Sequence, residues 1–506
     1  MVSTSSILQS SIRPLRIGMI GAGTVGGGVY EIIMNRLGSR SAGNNTTASG
    51  AKKQVVITKI CVRDPTKPRD FQNDKRSTEI VTDINSIVND KDIDLVVEVM
   101  GGTSLAKSAV LESLKQGKSV VTANKALIAE NLEEIVGVLN QVNERVVGKE
   151  AVTAGDGGNV KFAYEASVCG GIPVIQVLQS CYTGDIINEV MGICNGTTNF
   201  MLGKMEAGAD YDEVLKEAQD LGFAEADPSA DVDGYGEGMI CVLLVTCFVV
   251  IIRLTTCNFS NGYFTRFEML TDVRAKIAIL AKLAFGTTVP VDTIPCMGIT
   301  NISVIDFAYA KSMGCTIKLV GTAVRQSQFG EHDGALSVYV SPKLVPNTHL
   351  LASATGCGNA VAIDSANLGI ASYTGPGAGR YATANSIVAD ILRVANNTST
   401  ASPFPFSSNI EIDNDYVSAF YIRISFQDGL GIIRRIGELS ESQEVSIHSI
   451  LQQPITDRMA ADTVVTTEAC KYSQVKALCE LIEKEDFALC APVFMPMFTG
   501  SEYFCA

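Results

Sequence analysis

Gly21-Ala22-Gly23-Thr24-Val25-Gly26 constrains this chain more than any other segment, because glycines so spaced carry meaning in one local setting. They follow a short apolar run, RIGMIG, and open GGVYEIIMNRL, which reads as a helix. Between a strand and a helix, G-x-G-x-x-G permits a tight turn, close approach of a pyrophosphate and a free helix N-terminus to hold it. Glycine used only for packing is the competing reading. Downstream, VVITKICV, DIDLVVEVMGG and SVVTANK read as strands, with SLAKSAVLESLKQG as a helix between the last two. Strands alternating with helices imply an α/β protein with a Rossmann-type, doubly wound parallel sheet.

The second strand ends in CVRDPTK, offering Arg63 with Lys67 behind it. An acid there suits the ribose of NAD, whereas Arg accommodates a 2′-phosphate, so NADP(H) is the preferred cofactor and NAD(H) the alternative. Lys125, in VTANKAL, falls just past a strand's C-terminal end, where open sheets place ligands; a surface lysine is the competing reading. YEASVCGGIPVIQ (164–176) sets an acid before a glycine pair whose carbonyls can ligate a hard cation or form a plain turn. MGICNGTTNFML (191–202), which includes Thr197, is a strand-to-helix turn with hydroxyls and N–H groups suited to a carboxylate.

Glu225, Asp227, Asp231 and Asp233 crowd one loop, suited to an ammonium group or a metal, or simply solvated. DVRAKIAILAKLAFG then reads as a helix with Val273, Ile277, Leu280 and Ala284 on one apolar face. Asp272 and Lys276 stand four apart on an adjacent face, as a surface ion pair or a catalytic couple; spacing does not choose.

With 506 residues the chain needs two to four domains. A net charge of -14 argues against nucleic acid, whose phosphates require clustered cations. The 14 Cys form no Cys-x-x-Cys pair, so reduced thiols are expected. Only three His occur, none in a motif, which leaves proton chemistry to Lys, Asp or Glu. MVSTSSILQSSIRPLR is Ser-rich without an apolar h-region; a cytoplasmic protein is expected, with a plastid as the alternative. ANNTSTASPFPFSSN marks a polar linker, and the strands and helices after it form a small α+β module.

The ordered set GAGTVG, VTANKAL, YEASVCGGIP, GICNGTTNFML, AEADPSADVDG, DVRAKIAIL and YTGPGAGRYATANSIVADI resembles homoserine dehydrogenase over residues 14 to 395. YIRISFQDGLGIIRRIGELS more weakly resembles the opening of an ACT domain, with Leu430-Gly431 where that family usually has Pro-Gly. The resemblance implies a dinucleotide-binding domain over 14–160, completed by about 365–395. It further implies a mixed α+β substrate, catalytic and oligomerisation domain over 161–364, a linker over 395–412 and a ferredoxin-like ACT module over 413–506.

The implied reaction interconverts L-aspartate 4-semialdehyde and L-homoserine with NAD(P), on the route to threonine, isoleucine and methionine. Lys276 is then the proton donor and Lys125 the second active-site lysine, close to nicotinamide and substrate, so the two ammonium groups are expected to converge on one carbonyl. Glu225, Asp231, Asp272 and Thr197 would hold the substrate. Besides the glycine turn (Gly21 to Gly26), Arg63, Thr103, Ser104, Lys125, Gly377 and Gly379 would line the cofactor. Glu165, Val168, Gly170 and Ile172 match the family's sodium site. A homodimer or homotetramer, feedback by threonine and no membrane partner complete the expectation. The alternative is a catalytically silent amino-acid-binding regulator on the same scaffold.

One stretch departs from the family. Between Gly234 and Asp272 stand 37 residues, Tyr235 to Thr271, where one is expected. They lack Lys, Pro, Asp and Ala, and Met239 to Ile252 is apolar except for Thr246. That run is shorter than the ~20 residues a bilayer requires. It reads as a retained intron, or else as an insertion peculiar to this lineage. Its translation is expected to push Asp231 and Lys276 apart and to leave the full-length form inactive or prone to aggregate.

Overall fold

A computed structural model describes residues 13–37, 54–69, 78–148, 159–221, 223, 262–326, 334–398, 403–404, 406–455 and 457–498. The expected acids Glu225, Asp227, Asp231 and Asp233, with residues 235–261 of the excess stretch, lie outside the described residues. The chain divides into two units, Met1–Cys181 with Ala378–Pro405, and Tyr182–Gly377 with Phe406–Ala506.

The first unit carries β1 (Leu15–Ile20), β2 (Val55–Cys61), β3 (Glu79–Val81), β4 (Leu95–Glu98), β5 (Ser119–Thr122) and β6 (Phe162–Ala163). They form a parallel sheet in the order β3-β2-β1-β4-β5-β6. This is the doubly wound dinucleotide-binding order, which reverses between β1 and β4. Ile17, Met19, Leu95, Val97 and Val121 are fully buried, as strands covered on both faces require. The connecting helices are α1 (Thr24–Tyr30, continuing as a π-helical stretch Glu31–Leu37), α2 (Asn85–Val88), α3 (Ser104–Lys115), α4 (Lys125–Gly148) and α5 (Val174–Ser180).

The second unit opens with β7 (Ile187–Ile193), α6 (Gly196–Glu206) and α7 (Tyr211–Asp220). Helices α8 (Gly262–Phe285) and α9 (Val304–Ser312) follow, then β8 (Cys315–Arg325), β9 (Leu336–Pro346), β10 (Gly358–Ser365) and β11 (Gly369–Pro376). The five strands make an antiparallel sheet, β11-β10-β7-β8-β9. Helix α8 lies on it so closely that a Cβ at Gly321 would meet Val273 at 3.1 Å and Ile277 at 3.2 Å. Its burial corrects the expectation of a single apolar face. Beyond Val273, Ile277, Leu280 and Ala284, the residues Ala275, Lys276, Ile279 and Lys282 are buried too, because sheet and neighbouring segments enclose it.

The chain then returns to the first unit as α10 (Arg380–Ala395), which crosses α1. A Cβ at Gly28 would stand 2.8 Å from the Arg380 carbonyl oxygen, so the extra glycines after the G-x-G-x-x-G turn admit this crossing. The linker is anchored within each unit. In the first, Phe404 stacks on Tyr164 at 5.3 Å, and the Tyr164 hydroxyl donates to the Pro403 carbonyl at 2.8 Å. In the second, the Ser408 N–H donates to the Gly286 carbonyl at 3.0 Å.

The C-terminal part runs β12 (Val417–Ser418), β13 (Phe420–Phe426), α11 (Ile432–Ser442), β14 (Ile447–Leu451) and β15 (Ala461–Thr467), then β16 (Cys470–Lys471), α12 (Tyr472–Ile482) and β17 (Val493–Pro496). Setting aside the short β12–β16 pair, this is a βαββαβ unit with sheet order β14-β15-β13-β17, the ferredoxin-like arrangement. Phe420, Ile422, Ile424 and Phe426 point into its core beside Ile436, Val475 and Leu478. From the opposite face of β13, Arg423 donates to Asp306 on α9 at 2.7 Å, and the Tyr421 hydroxyl donates to the same carboxylate at 2.8 Å. Asp306 is fully buried, so removing Arg423 would strand a buried charge at a cost of about 3–5 kcal/mol. At Leu430-Gly431, the glycine sits at φ 86 while Leu430 is wholly exposed. The left-handed backbone requires the glycine and leaves its neighbour unconstrained.

Candidate active site

The three glycines of the β1–α1 turn have separable roles. Gly21 has φ 102, and a Cβ there would lie 2.5 Å from the Val99 carbonyl oxygen. A Cβ at Gly26 would lie 2.5 Å from the Gly21 carbonyl oxygen, so the helix packs directly on the turn. At Gly23 a Cβ would meet nothing within 4 Å. No packing demand explains glycine there, and the space before the start of α1 is open. Ala22, Thr24 and Val25 complete the turn. Thr103 precedes α3 and Ser104 begins it, beside Gly101 (φ 77) and Gly102 (φ 72) at the end of β4.

Arg63 is exposed just beyond β2. The neighbouring Asp64 is turned onto its own loop, accepting from the Thr66 N–H at 2.8 Å and the Thr66 hydroxyl at 2.6 Å. The hydroxyl and backbone N–H of Thr66 hold that carboxyl below its ordinary range. Asp64 is thus committed locally.

Lys125 is the first residue of α4, with Asn124 before it accepting the Leu127 N–H at 3.1 Å. It belongs to the first unit and Lys276 to the second. Lys276 is buried and donates to Asp272 at 2.8 Å and to the Cys194 carbonyl at 2.7 Å. Asn195 donates to the same Asp272 oxygen at 3.1 Å, and its own side-chain oxygen caps α6 by accepting the Thr198 N–H at 2.9 Å. Asn359 adds a second donor to the Cys194 carbonyl at 3.1 Å. Burial therefore decides what spacing left open: Asp272 and Lys276 are not a solvated surface pair. A buried ammonium survives only when paired and hydrogen-bonded, and this one has both.

Gly377 closes the second unit, where a Cβ would overlap the Asn359 side chain at 2.0 Å; Gly379, at φ 115, begins the return into α10. Thr197 donates its hydroxyl to the Phe223 carbonyl at 2.7 Å. Its hydrogen is committed, which leaves the oxygen lone pairs and the N–H for a ligand. Asn359 escaped the sequence reading, and Cys194 and Asn195, though inside the 191–202 turn, were given no role of their own. Of these only Asn195 carries a signal, since Asn before a helical run is a preferred N-cap.

The expected cation turn is built, but its acid is occupied. Glu165 accepts from the Ile175 and Gln176 N–H groups, both at 2.9 Å, and pairs with Arg393 at 3.3 Å. The Gly170 carbonyl accepts the Ser386 hydroxyl at 2.7 Å, and the Ile172 carbonyl accepts the Val174 N–H at 2.8 Å. Among the described residues no group of three or more His, Cys, Asp or Glu could hold a metal ion. What remains for a hard cation is the second lone pair on backbone oxygens, including that of Val168.

A homoserine dehydrogenase family model matches residues 173–259 and 270–392, and a model described as the homoserine dehydrogenase NAD-binding domain matches 21–147. The homoserine dehydrogenase of Synechocystis is 34% identical over 93% of this chain and 96% of its own. That of Bacillus subtilis is 32% identical over 92% and 94%. The chain belongs to the homoserine dehydrogenase family. Its activity is that family's, an oxidoreduction of a small molecule with a nicotinamide cofactor. A crystal structure of a homoserine dehydrogenase from Thiobacillus denitrificans, 27% identical, matches with a TM-score of 0.76 over 96% of this chain and 99% of that one. A hyperthermophilic archaeal homoserine dehydrogenase in complex with NADPH, 21% identical, shares the fold at a TM-score of 0.52 over 77% of this chain and all of its own. The break in the family match, between 259 and 270, falls inside the excess stretch. Among the described residues no helix is long and apolar enough to cross a membrane.

Burial and the adjacent Asp390 carboxylate raise Glu165 to about 7, against the pull of the Gln176 and Ile175 N–H groups and Arg393. A group raised above its unfolded value, about 4.3, contributes stability that is complete below that value and is lost as pH rises through about 7. Calorimetric melts between about pH 5 and pH 8 should show the midpoint falling more steeply in the parent than in Glu165→Gln, whose side chain cannot titrate. Equal slopes would show that Glu165 does not titrate in this window.

Proposed function

We propose that Lys276 delivers the proton to the aldehyde oxygen of L-aspartate 4-semialdehyde as hydride reaches the adjacent carbon, and removes it in the reverse reaction. The carrying observation is the buried ammonium held by Asp272 and the Cys194 carbonyl. Negative charge developing on the oxygen is neutralised by this group, and Asp272 keeps the lysine protonated. Lys125, at the start of α4, is proposed as the second active-site lysine. Thr197, with Glu225 and Asp231, is proposed to bind the substrate.

The cofactor, when bound, supplies the hydride. The β1–α1 turn would receive its pyrophosphate, with Thr103, Ser104, Gly377 and Gly379 as further lining. NADP(H) is the preferred form, because Arg63 is exposed where Asp64 is tied to Thr66. Sodium, if bound, would use the backbone oxygens of Val168, Gly170 and Ile172, with Glu165 ordering the turn. The C-terminal βαββαβ unit is read as an ACT-like sensor, with threonine as its effector, placing the enzyme on the route to threonine, isoleucine and methionine.

The test is NADPH oxidation driven by L-aspartate 4-semialdehyde. Lys276→Met should lose about 10²–10⁴-fold in kcat while NADPH binding persists. Undiminished kcat would remove Lys276 from the proton step. The same assay with NADH, threonine or sodium reads the cofactor, effector and cation proposals in turn. No change on adding either of the last two would count against them.

For residues 235–271 we favour a retained intron, on their composition and on the break in the family match at 260–269, while 235–259 fall within that match. The mature transcript should lack these codons. A transcript that keeps them would establish the insertion as real.

A further inference from the structure

Glu98 has no part in the reaction as derived above, yet it is one of the most completely buried acids in the first unit. It is the last residue of β4 and is fully enclosed. Beside it in register stand Ile20 on β1 and Thr122 on β5, so it sits under the edge where the strand order reverses. An ionisable group in such a place costs stability unless its bonds are complete. Its two oxygens go in different directions. One accepts the Met100 N–H at 2.9 Å, at the start of the turn through Gly101 and Gly102. The other accepts the Thr122 hydroxyl at 2.6 Å.

The second bond continues outward. Having given its hydrogen to Glu98, the Thr122 oxygen accepts the Asn124 N–H at 3.0 Å. The Asn124 side chain then donates to the Gly102 carbonyl at 2.6 Å and, through its oxygen, accepts the Leu127 N–H in the first turn of α4 at 3.1 Å. The bonds close a ring from Glu98 through Thr122 and Asn124 to Gly102, and back through the turn to Met100. The direction of each bond is fixed, because a carboxylate only accepts and a backbone N–H only donates. The Thr122 hydroxyl donates and accepts through one atom, whereas the Asn124 amide does so through its nitrogen and oxygen separately.

We propose that Glu98 is a positioning residue for cofactor and catalysis, acting through Thr122 and Asn124 to fix together the Gly101–Gly102 turn and the first residues of α4, Lys125 included. The inference rests on the reading of this edge as the nicotinamide crevice and of Lys125 as an active-site lysine. It explains why an acid interrupts the apolar run of β4, and why burial raises the Glu98 carboxyl while its bonds with Thr122 and the Met100 N–H draw it back down. A ring of this kind orders the crevice before the cofactor arrives, which lowers the ordering cost of binding.

The test compares Thr122→Val, Thr122→Ser and Glu98→Gln with the parent, all expressed from the mature transcript. NADPH dissociation constants are read from its fluorescence without substrate, kcat and KM from turnover, and folding from circular dichroism. Thr122→Val keeps the volume and removes the hydroxyl; it should weaken NADPH at least about fivefold and lower kcat at least about tenfold. The KM for aspartate 4-semialdehyde should stay within about twofold, and Thr122→Ser, which keeps the hydroxyl, should restore both losses. Glu98→Gln retains one acceptor and should fall between parent and Thr122→Val.

Folded Thr122→Val with parental NADPH affinity and kcat would overturn the proposal. So would equal losses in Thr122→Val and Thr122→Ser, which would assign the effect to packing. If Thr122→Val does not fold, parental NADPH affinity in Glu98→Gln overturns it, and a loss there supports it. Lys125→Ala separates this proposal from the reading beneath it: a parental kcat in that variant removes Lys125 from the active site, whatever the Thr122 pair shows.

Discussion

Within the second unit, the buried Lys276 ammonium is the constraint that its surroundings must satisfy. A primary ammonium buried as Lys276 is would be costly if left alone, and its proton would then be lost readily. Here it is secured from two directions, by the carboxylate one helical turn back along α8 and by the backbone carbonyl at the end of β7. Each partner is itself held: Asp272 by Asn195, and Cys194 by Asn359. Helix α8, strand β7, the cap of α6 and strand β10 thus meet at a single nitrogen. A shift of any one of them would move it.

The first unit solves a different problem, how to leave room for an anionic ligand while keeping a packed sheet. Its glycines divide that work. Gly21 and Gly26 let backbone cross backbone, and Gly28 lets α10 cross α1, while Gly23 faces open space. At the C-terminal ends of β4 and β5, Glu98 and Thr122 bond to each other, and Glu98 bonds to the turn at Met100. The apolar interior below them gives the sheet its rigidity, and the ring above gives the crevice its shape.

Much of this was legible in the chain itself, for identifiable reasons. Glycine spacing and the strand–helix alternation announce the doubly wound sheet, because both are local patterns with few alternative structures. The four-residue separation of Asp272 and Lys276 announces a pair but not its setting. Burial depends on the antiparallel sheet beneath α8, whose strands come from both sides of that helix in sequence. For the same reason Asn359 gave no signal: its contact with Cys194 joins residues 165 positions apart. Glu98 offered a faint one, an acid within an apolar strand, which is uncommon unless the charge is satisfied. The cation turn was legible as a shape, whereas the involvement of Glu165 with α5 and Arg393 was not, since Arg393 lies in α10, the returning helix.

The most direct examination of the central claim is a crystal structure of the protein with NADP+ and L-homoserine bound. The account predicts the substrate hydroxyl within about 3 Å of the Lys276 nitrogen, with Asp272 still beside that nitrogen. A complex in which the hydroxyl binds elsewhere, and Lys276 retains only Asp272 and the Cys194 carbonyl, would contradict it.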